Sequence, residues 1–246
     1  MYLRTLILVG VVGVMYSCCA PNPKIVSAEF VPVTPRTSGD SAFRNQLNVY
    51  YQEIADKMNI EIGTSAQQME TDRPEGLLNN FVAETMLKYG NAIKPTDVAI
   101  SNIGGLRRDL PEGKITVGTI YELMPFYNKL VFLKFSADQM DDICQAIAKK
   151  GGDVVAGISM MITKDNKAVN IKIGGQPLKQ GKIYRVITTD YLSEGMDGLE
   201  PLANYMDEME PLDVVMCDMM IEEIKKMTEK NQVIKTTLKN NIYVEK

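Results

Sequence analysis

Pro95-Thr96-Asp97-Val98-Ala99-Ile100-Ser101-Asn102-Ile103-Gly104-Gly105-Leu106-Arg107 is the stretch on which the fold turns. The brief apolar run from Asp97 to Ser101 reads as a strand. It delivers the chain to Asn102, and the carboxyl end of a strand is where α/β proteins commonly place ligand groups. Gly104-Gly105 allows backbone angles closed to other residues and lets a ligand approach the main chain. Arg107 presents a planar fork of donors suited to phosphate oxygens or paired hydroxyls. Taken alone, the same residues also describe a tight turn whose arginine pairs with Asp109 or stays solvated.

The pattern on either side is that of a mixed α/β fold, sheets flanked by helices. Lys129 to Phe135 reads as another strand, and Ser136 with Gln139 forms a capping box ahead of a helix bearing Met140, Ile143 and Ile147. Gly151-Gly152 ends that helix. Upstream, Leu78, Phe81, Val82 and Met86 mark the buried side of a helix starting near Glu75, with Gly90 as its stop. Phe43, Leu47, Tyr50 and Ile54 recur every three or four residues, the spacing of an amphipathic helix, and a short strand follows around Ile60-Glu61-Ile62-Gly63. Gly157 to Thr189 reads as strands, with turns at Lys164-Asp165-Asn166-Lys167 and Gly174-Gly175. Val214, Cys217, Ile221 and Ile224 mark a late helix, and Thr236 to Val244 closes a sheet.

Composition is that of an ordinary globular protein, 45% hydrophobic and 24% charged. A net charge of −4 gives no basic surface for a nucleic-acid polymer. The chain contains no histidine. Of its cysteines, only Cys144 and Cys217 lie in the body of the chain, both on apolar faces of predicted helices, and no CxxC pattern occurs.

Arg4, an apolar run from Leu6 to Val14 and then Met15-Tyr16-Ser17-Cys18 describe an export signal. The run falls short of the about 20 apolar residues that span a bilayer. With a cysteine at the expected cut, it looks like a bacterial lipoprotein signal over residues 1–17, with Cys18 lipidated; Cys19 is the rival, and an ordinary signal peptide cut nearby the plainer alternative. Each buried acyl CH₂ contributes about 0.8 kcal/mol, so several chains would hold the protein at a membrane surface of the cell envelope. Residues 18–41, with Pro21, Pro23, Pro32 and Pro35, read as a spacer to a domain over 42–246.

Phe126 follows Pro125 and precedes Asn128 in a polar, turn-like setting, outside the periodic stretches where core aromatics sit. Tyr191 ends a strand just before Glu194-Gly195-Met196-Asp197-Gly198. Two such rings can sandwich a base at about 1–3 kcal/mol per stacking contact. Asp197, flanked by glycines, suits ribose hydroxyls. Core packing for the rings and a turn-capping carboxylate for Asp197 are the plainer alternatives.

Together these blocks resemble the substrate-binding C-terminal domain of 5'-nucleotidases. The resemblance runs from about Ile62 to Tyr205 with the blocks in the family order. It implies that Phe126 and Tyr191 hold the base, Asn102 contacts it, and Arg107 binds ribose or phosphate beside Gly104 and Gly105. It also implies that Asp197 binds ribose hydroxyls, with Arg73 as a further contributor. A tyrosine stands where the family usually has its second phenylalanine. In the family a separate N-terminal metallophosphoesterase domain does the chemistry, with two metals on Asp-x-His and Gly-Asn-His motifs that this sequence lacks. No cofactor is expected in this chain, and the divalent metals belong to a partner. The reading is therefore the nucleotide-binding half of a split 5'-nucleotidase, acting with a separately encoded phosphoesterase. A non-enzymatic nucleoside- or nucleotide-binding lipoprotein is the alternative, and an autonomous hydrolase a third.

Overall fold

The computed structural model describes residues 29–30, 40–206 and 208–245. The signal over 1–17 and Cys18 lie outside these residues, as does most of the spacer. Elements in chain order are α1 (Ser41–Met58), β1 (Glu61–Ser65), α2 (Leu77–Ile93) and β2 (Val98–Ser101), then a 3₁₀ turn at Ile103–Gly105. Next come β3 (Gly113–Thr116), α3 (Val117–Leu123), β4 (Lys129–Phe135) and α4 (Ala137–Lys149). Strands β5 (Val154–Ala156), β6 (Ile158–Ile162), β7 (Ala168–Ile173), β8 (Gln176–Pro177) and β9 (Tyr184–Thr189) follow. The chain finishes with α5 (Asp190–Ser193), α6 (Glu200–Asn204), β10 (Glu210–Val215), α7 (Met216–Glu229) and β11 (Ile242–Val244).

Why β2 reads as a continuous apolar run follows from the central sheet, whose order is β10-β4-β9-β2-β5. All four residues of β2 are buried, so the strand is covered on both faces. Side chains alternate across a strand, and the sheet sorts them into two cores. Ala99, Leu130, Phe132 and Ile187 join Leu78, Val82 and Met86 of α2 and Met220 and Ile224 of α7. Val98, Ile100, Val131, Leu133 and Val186 instead meet Met140, Ile143, Cys144 and Ile147 of α4. Strands β2 and β9 run parallel, while β4 and β9 run antiparallel with Leu130 opposite Thr189. A second sheet, β11-β6-β7-β8, is completed by β11 lying parallel to β6, and β1 pairs with β3.

The capping box forms as expected: Gln139 N donates to Ser136 Oγ, and Ser136 N to Gln139 Oε1. Lys150 follows α4, and Gly151 and Gly152 both take positive φ there. Two expectations need correction. Gly90 does not stop α2, which runs on to Ile93; a Cβ at Gly90 would come within 3.1 Å of Thr96 Oγ1 and 3.3 Å of Ile187 Cδ1. This glycine serves close helix–strand packing. Val214 belongs to β10, and α7 begins at Met216. The β3–α3 unit, closed by a Thr116–Thr119 capping box, had no apolar periodicity to announce it.

Helix α1 forms where its spacing predicts, started by Asp40 Oδ1 accepting from Ala42 N at 2.8 Å, yet none of its residues is buried. The chain divides within α1, residues 48–246 forming one compact unit. No helix among the described residues is long and apolar enough to cross a membrane. Cys144 and Cys217 are free buried thiols, pushed up by burial to about 12 and about 11.

Candidate functional site

Strand β2 ends at Ser101, and Asn102 leaves it in an extended conformation to start the 3₁₀ turn. The Asn102 side chain is buried. Its Nδ2 donates to Asp197 Oδ2 at 2.9 Å, while the backbone carbonyl of Asn102 accepts from Gly105 N at 3.1 Å. The glycine pair works differently from the expectation. Neither Gly104 nor Gly105 takes a positive φ. What each supplies is room: a Cβ on Gly105 would lie 2.9 Å from Asn102 Oδ1, and one on Gly104 3.3 Å from Asn102 Nδ2. The turn is shaped around the asparagine. Arg107 is exposed, with Nη1 3.5 Å from the Gly104 carbonyl oxygen and no ion pair to Asp109 among the described residues.

Phe126 lies just before β4 and Tyr191 just after β9, in α5, at the end of these antiparallel neighbours where Leu130 faces Thr189. One carboxylate oxygen joins their segments: Asp190 Oδ1 accepts from Lys129 N at 3.1 Å and from Tyr191 N at 2.8 Å. The Asn128 carbonyl accepts from Met216 N at 2.9 Å, fixing the other side of the Phe126 loop. Neither ring enters the interior; Phe126 is 45% exposed and Tyr191 41%.

Asp197 holds a left-handed φ of 57°, between Gly195 and Gly198, which do likewise. A non-glycine residue there is uncommon, and aspartate is among the few that tolerate it. The loop thus turns tightly enough to present its carboxylate. Asn102, Gly104, Gly105, Arg107, Phe126, Tyr191 and Asp197 line one cleft of about 270 Å³, together with Asn128. Of the predicted substrate-binding residues, Arg73 alone is not part of that lining. Its Nη1 donates to the Lys150 carbonyl at 2.7 Å and also to the Gly152 carbonyl.

Two residues that the sequence did not single out complete the polar side. Lys150 Nζ lies 3.1 Å from Asp197 Oδ2 and pairs with Asp153 Oδ2. Asp153 is fully buried at its side chain, and its Oδ1 accepts from Ile103 N at 2.8 Å and Val154 N at 3.0 Å. No spacing announces this link, because Lys150 and Asp197 stand 47 residues apart and belong to no common periodic segment.

A half-exposed pair of rings, a carboxylate and a guanidinium around one small cleft suit a ligand with a planar face, hydroxyls and negative charge. The sequence has no histidine, and among the described residues no group of three or more His, Cys, Asp or Glu is placed to hold a metal ion. The donor set of a two-metal phosphoesterase does not fit these residues.

With that geometry stands a family. The model of the 5'-nucleotidase C-terminal domain matches residues 57–204, more than half of the chain. The chain belongs to that family. Among its relatives is the trifunctional nucleotide phosphoesterase protein YfkN of Bacillus subtilis, 26% identical over 220 residues, covering 81% of this chain and 15% of the relative. The 5'-nucleotidase of Vibrio vulnificus is 26% identical over 176 residues, 68% of this chain and 31% of the relative. The structure of a 5'-nucleotidase precursor from Thermus thermophilus superposes with a TM-score of 0.70 at 23% identity, covering 82% of this chain and 42% of that one. This likeness shows a shared fold. The chain spans less than half the length of each of these proteins.

Proposed function

We propose that this protein recognises nucleotides and presents them for phosphate ester hydrolysis by a metallophosphoesterase centre carried on a separate chain. The observation that supports this most directly is the single cleft around Phe126, Tyr191, Asp197 and Arg107. In this reading the base lies between the two rings, where stacking tolerates any base. The ribose hydroxyls donate to Asp197, and Arg107 takes phosphate oxygens with its fork of donors. Asn102, already spending Nδ2 on Asp197, offers its amide oxygen to the ligand. The chain's own residues bind and orient, and the partner's metals supply the activated water. Export, with a lipid anchor at Cys18, belongs to the same proposal and rests on the sequence of residues 4–18 alone.

The test is reconstitution. Purified chain and an exported metallophosphoesterase should release phosphate from AMP when mixed, and neither should do so alone. A phosphoesterase indifferent to this chain, with AMP binding intact, would leave a non-enzymatic nucleotide-binding protein. Metal-dependent phosphate release by the chain alone would make it an autonomous hydrolase.

A further inference from the structure

Five residues on three separate segments close a ring of polar contacts beside the cleft. Asn102 donates to Asp197 Oδ2, Asp197 Oδ2 meets Lys150 Nζ, and Lys150 pairs with Asp153. Asp153 Oδ1 then accepts from Ile103 N, the next backbone group after Asn102, at 2.8 Å. The ring therefore ties the glycine turn, the turn after α4 and the Asp197 loop into one unit. Arg73 braces it from outside through the Lys150 and Gly152 carbonyls.

Charge and burial set what each member does. The Asp153 side chain is fully buried and the Lys150 side chain 16% exposed, whereas the Asp197 side chain is 36% exposed and lines the cleft. A buried carboxylate is costly unless its oxygens are partnered, and Asp153 has Lys150 plus two backbone N–H groups. With Asp153 committed in this way, Lys150 is anchored and can direct its remaining donors at Asp197. Both donors to Asp197 land on Oδ2, which leaves Oδ1 with no donor among the described residues. A carboxylate fixed on one oxygen offers the other in a defined direction, and hydrogen bonds to a charged, preoriented acceptor are the strong ones.

We propose that Lys150, anchored by Asp153, is a specificity-determining positioning residue that orients Asp197 so that its Oδ1 accepts from the ribose 2'-hydroxyl. Its presence makes the protein select ribonucleotides over 2'-deoxyribonucleotides. The inference rests on the nucleotide reading above and adds to it a residue pair and a choice of sugar.

Calorimetric titration of the wild type and of Lys150→Met with AMP and with 2'-deoxy-AMP tests it, with the melting temperature of each protein recorded alongside. The wild type should prefer AMP by about tenfold, the scale of one hydrogen bond to a charged group. In Lys150→Met that ratio should collapse toward one while 2'-deoxy-AMP binding barely changes, and Lys150→Arg should restore the preference. If Lys150→Met does not fold, Lys150→Gln, which keeps a stem and a neutral donor, should show a reduced ratio. An unchanged ratio, or parallel weakening of both nucleotides, would overturn the inference and leave Lys150 a merely structural residue. If the wild type binds AMP and 2'-deoxy-AMP equally, the sugar selection fails while the nucleotide reading stands. If it binds neither, that reading falls and takes this inference with it.

Discussion

The two walls of the cleft are built in opposite ways. On the polar wall the groups around Asp197 are fastened: Asn102 and Lys150 converge on Asp197, and Asp153 holds both Lys150 and the Ile103 amide. On the aromatic wall Phe126 and Tyr191 leave nearly half their surface to solvent and are held through backbone, by Asp190 and the Asn128 carbonyl. Fixed polar groups discriminate, because an unmatched partner leaves them unpaired. Exposed rings gain from covering any flat face, so they add affinity with little selectivity. In the proposed reading, sugar recognition falls to one wall and general base affinity to the other.

Removing the anchor of the polar wall should give the largest effect. Asp153→Ala strands Lys150 and two backbone N–H groups, and loss of one partner of a buried pair costs on the order of 3–5 kcal/mol of stability. Chemical denaturation should show it as a lower midpoint. Asp153→Asn, which keeps an acceptor, should recover part of the loss.

Breaking the aromatic wall should cost affinity and leave stability nearly untouched. Phe126→Ala and Tyr191→Ala should each weaken AMP binding by about 1–3 kcal/mol, read by calorimetry, with similar losses for other bases. A smaller sharpening comes from Asp190, which spaces the two ring-bearing segments. Asp190→Ala should weaken AMP by about 1 kcal/mol while sparing ribose 5-phosphate, and Asp190→Asn should largely restore it.

The smallest effect lies away from both walls and serves as their control. Glu223 on α7 meets Lys226 at 2.7 Å and Lys88 of α2 at 3.1 Å. Burial opposes its ionisation, but the two ammonium groups outweigh burial and hold the carboxyl below its ordinary 4.5. A lowered carboxylate pKa stabilises the fold above the unfolded value, and that share is lost as pH falls through the folded one. Because both lysines are half exposed or more, the share should be under about 1 kcal/mol. Glu223→Gln should flatten the pH dependence of unfolding just below pH 4.5 without altering AMP affinity.

What the sequence disclosed follows the same division. The rings, Asn102 and Asp197 were legible because each sits in a short local block, at a strand end or a glycine-flanked turn. The central strands were legible because burial on both faces writes a continuous apolar run, as in Val98-Ala99-Ile100. Lys150 and Asp153 were hidden. They meet the site only through tertiary contacts, and a lysine after a helix looks like any solvated cation. Gly104 and Gly105 were recognised on a ground that holds only in part: both line the cleft, but neither takes a left-handed φ, and a Cβ on either would crowd the Asn102 side chain. Gly90 misled for a related cause, since a glycine that packs a helix against a strand and one that ends a helix look alike in sequence.

The most direct measurement of the central claim is a calorimetric comparison of AMP with ribose 5-phosphate on the wild type and on the Phe126→Ala, Tyr191→Ala double variant. Rings that grip a base make AMP bind well ahead of ribose 5-phosphate on the wild type, and the double variant should erase the gap. Equal binding of the two ligands by the wild type, or a gap that survives loss of both rings, would contradict it.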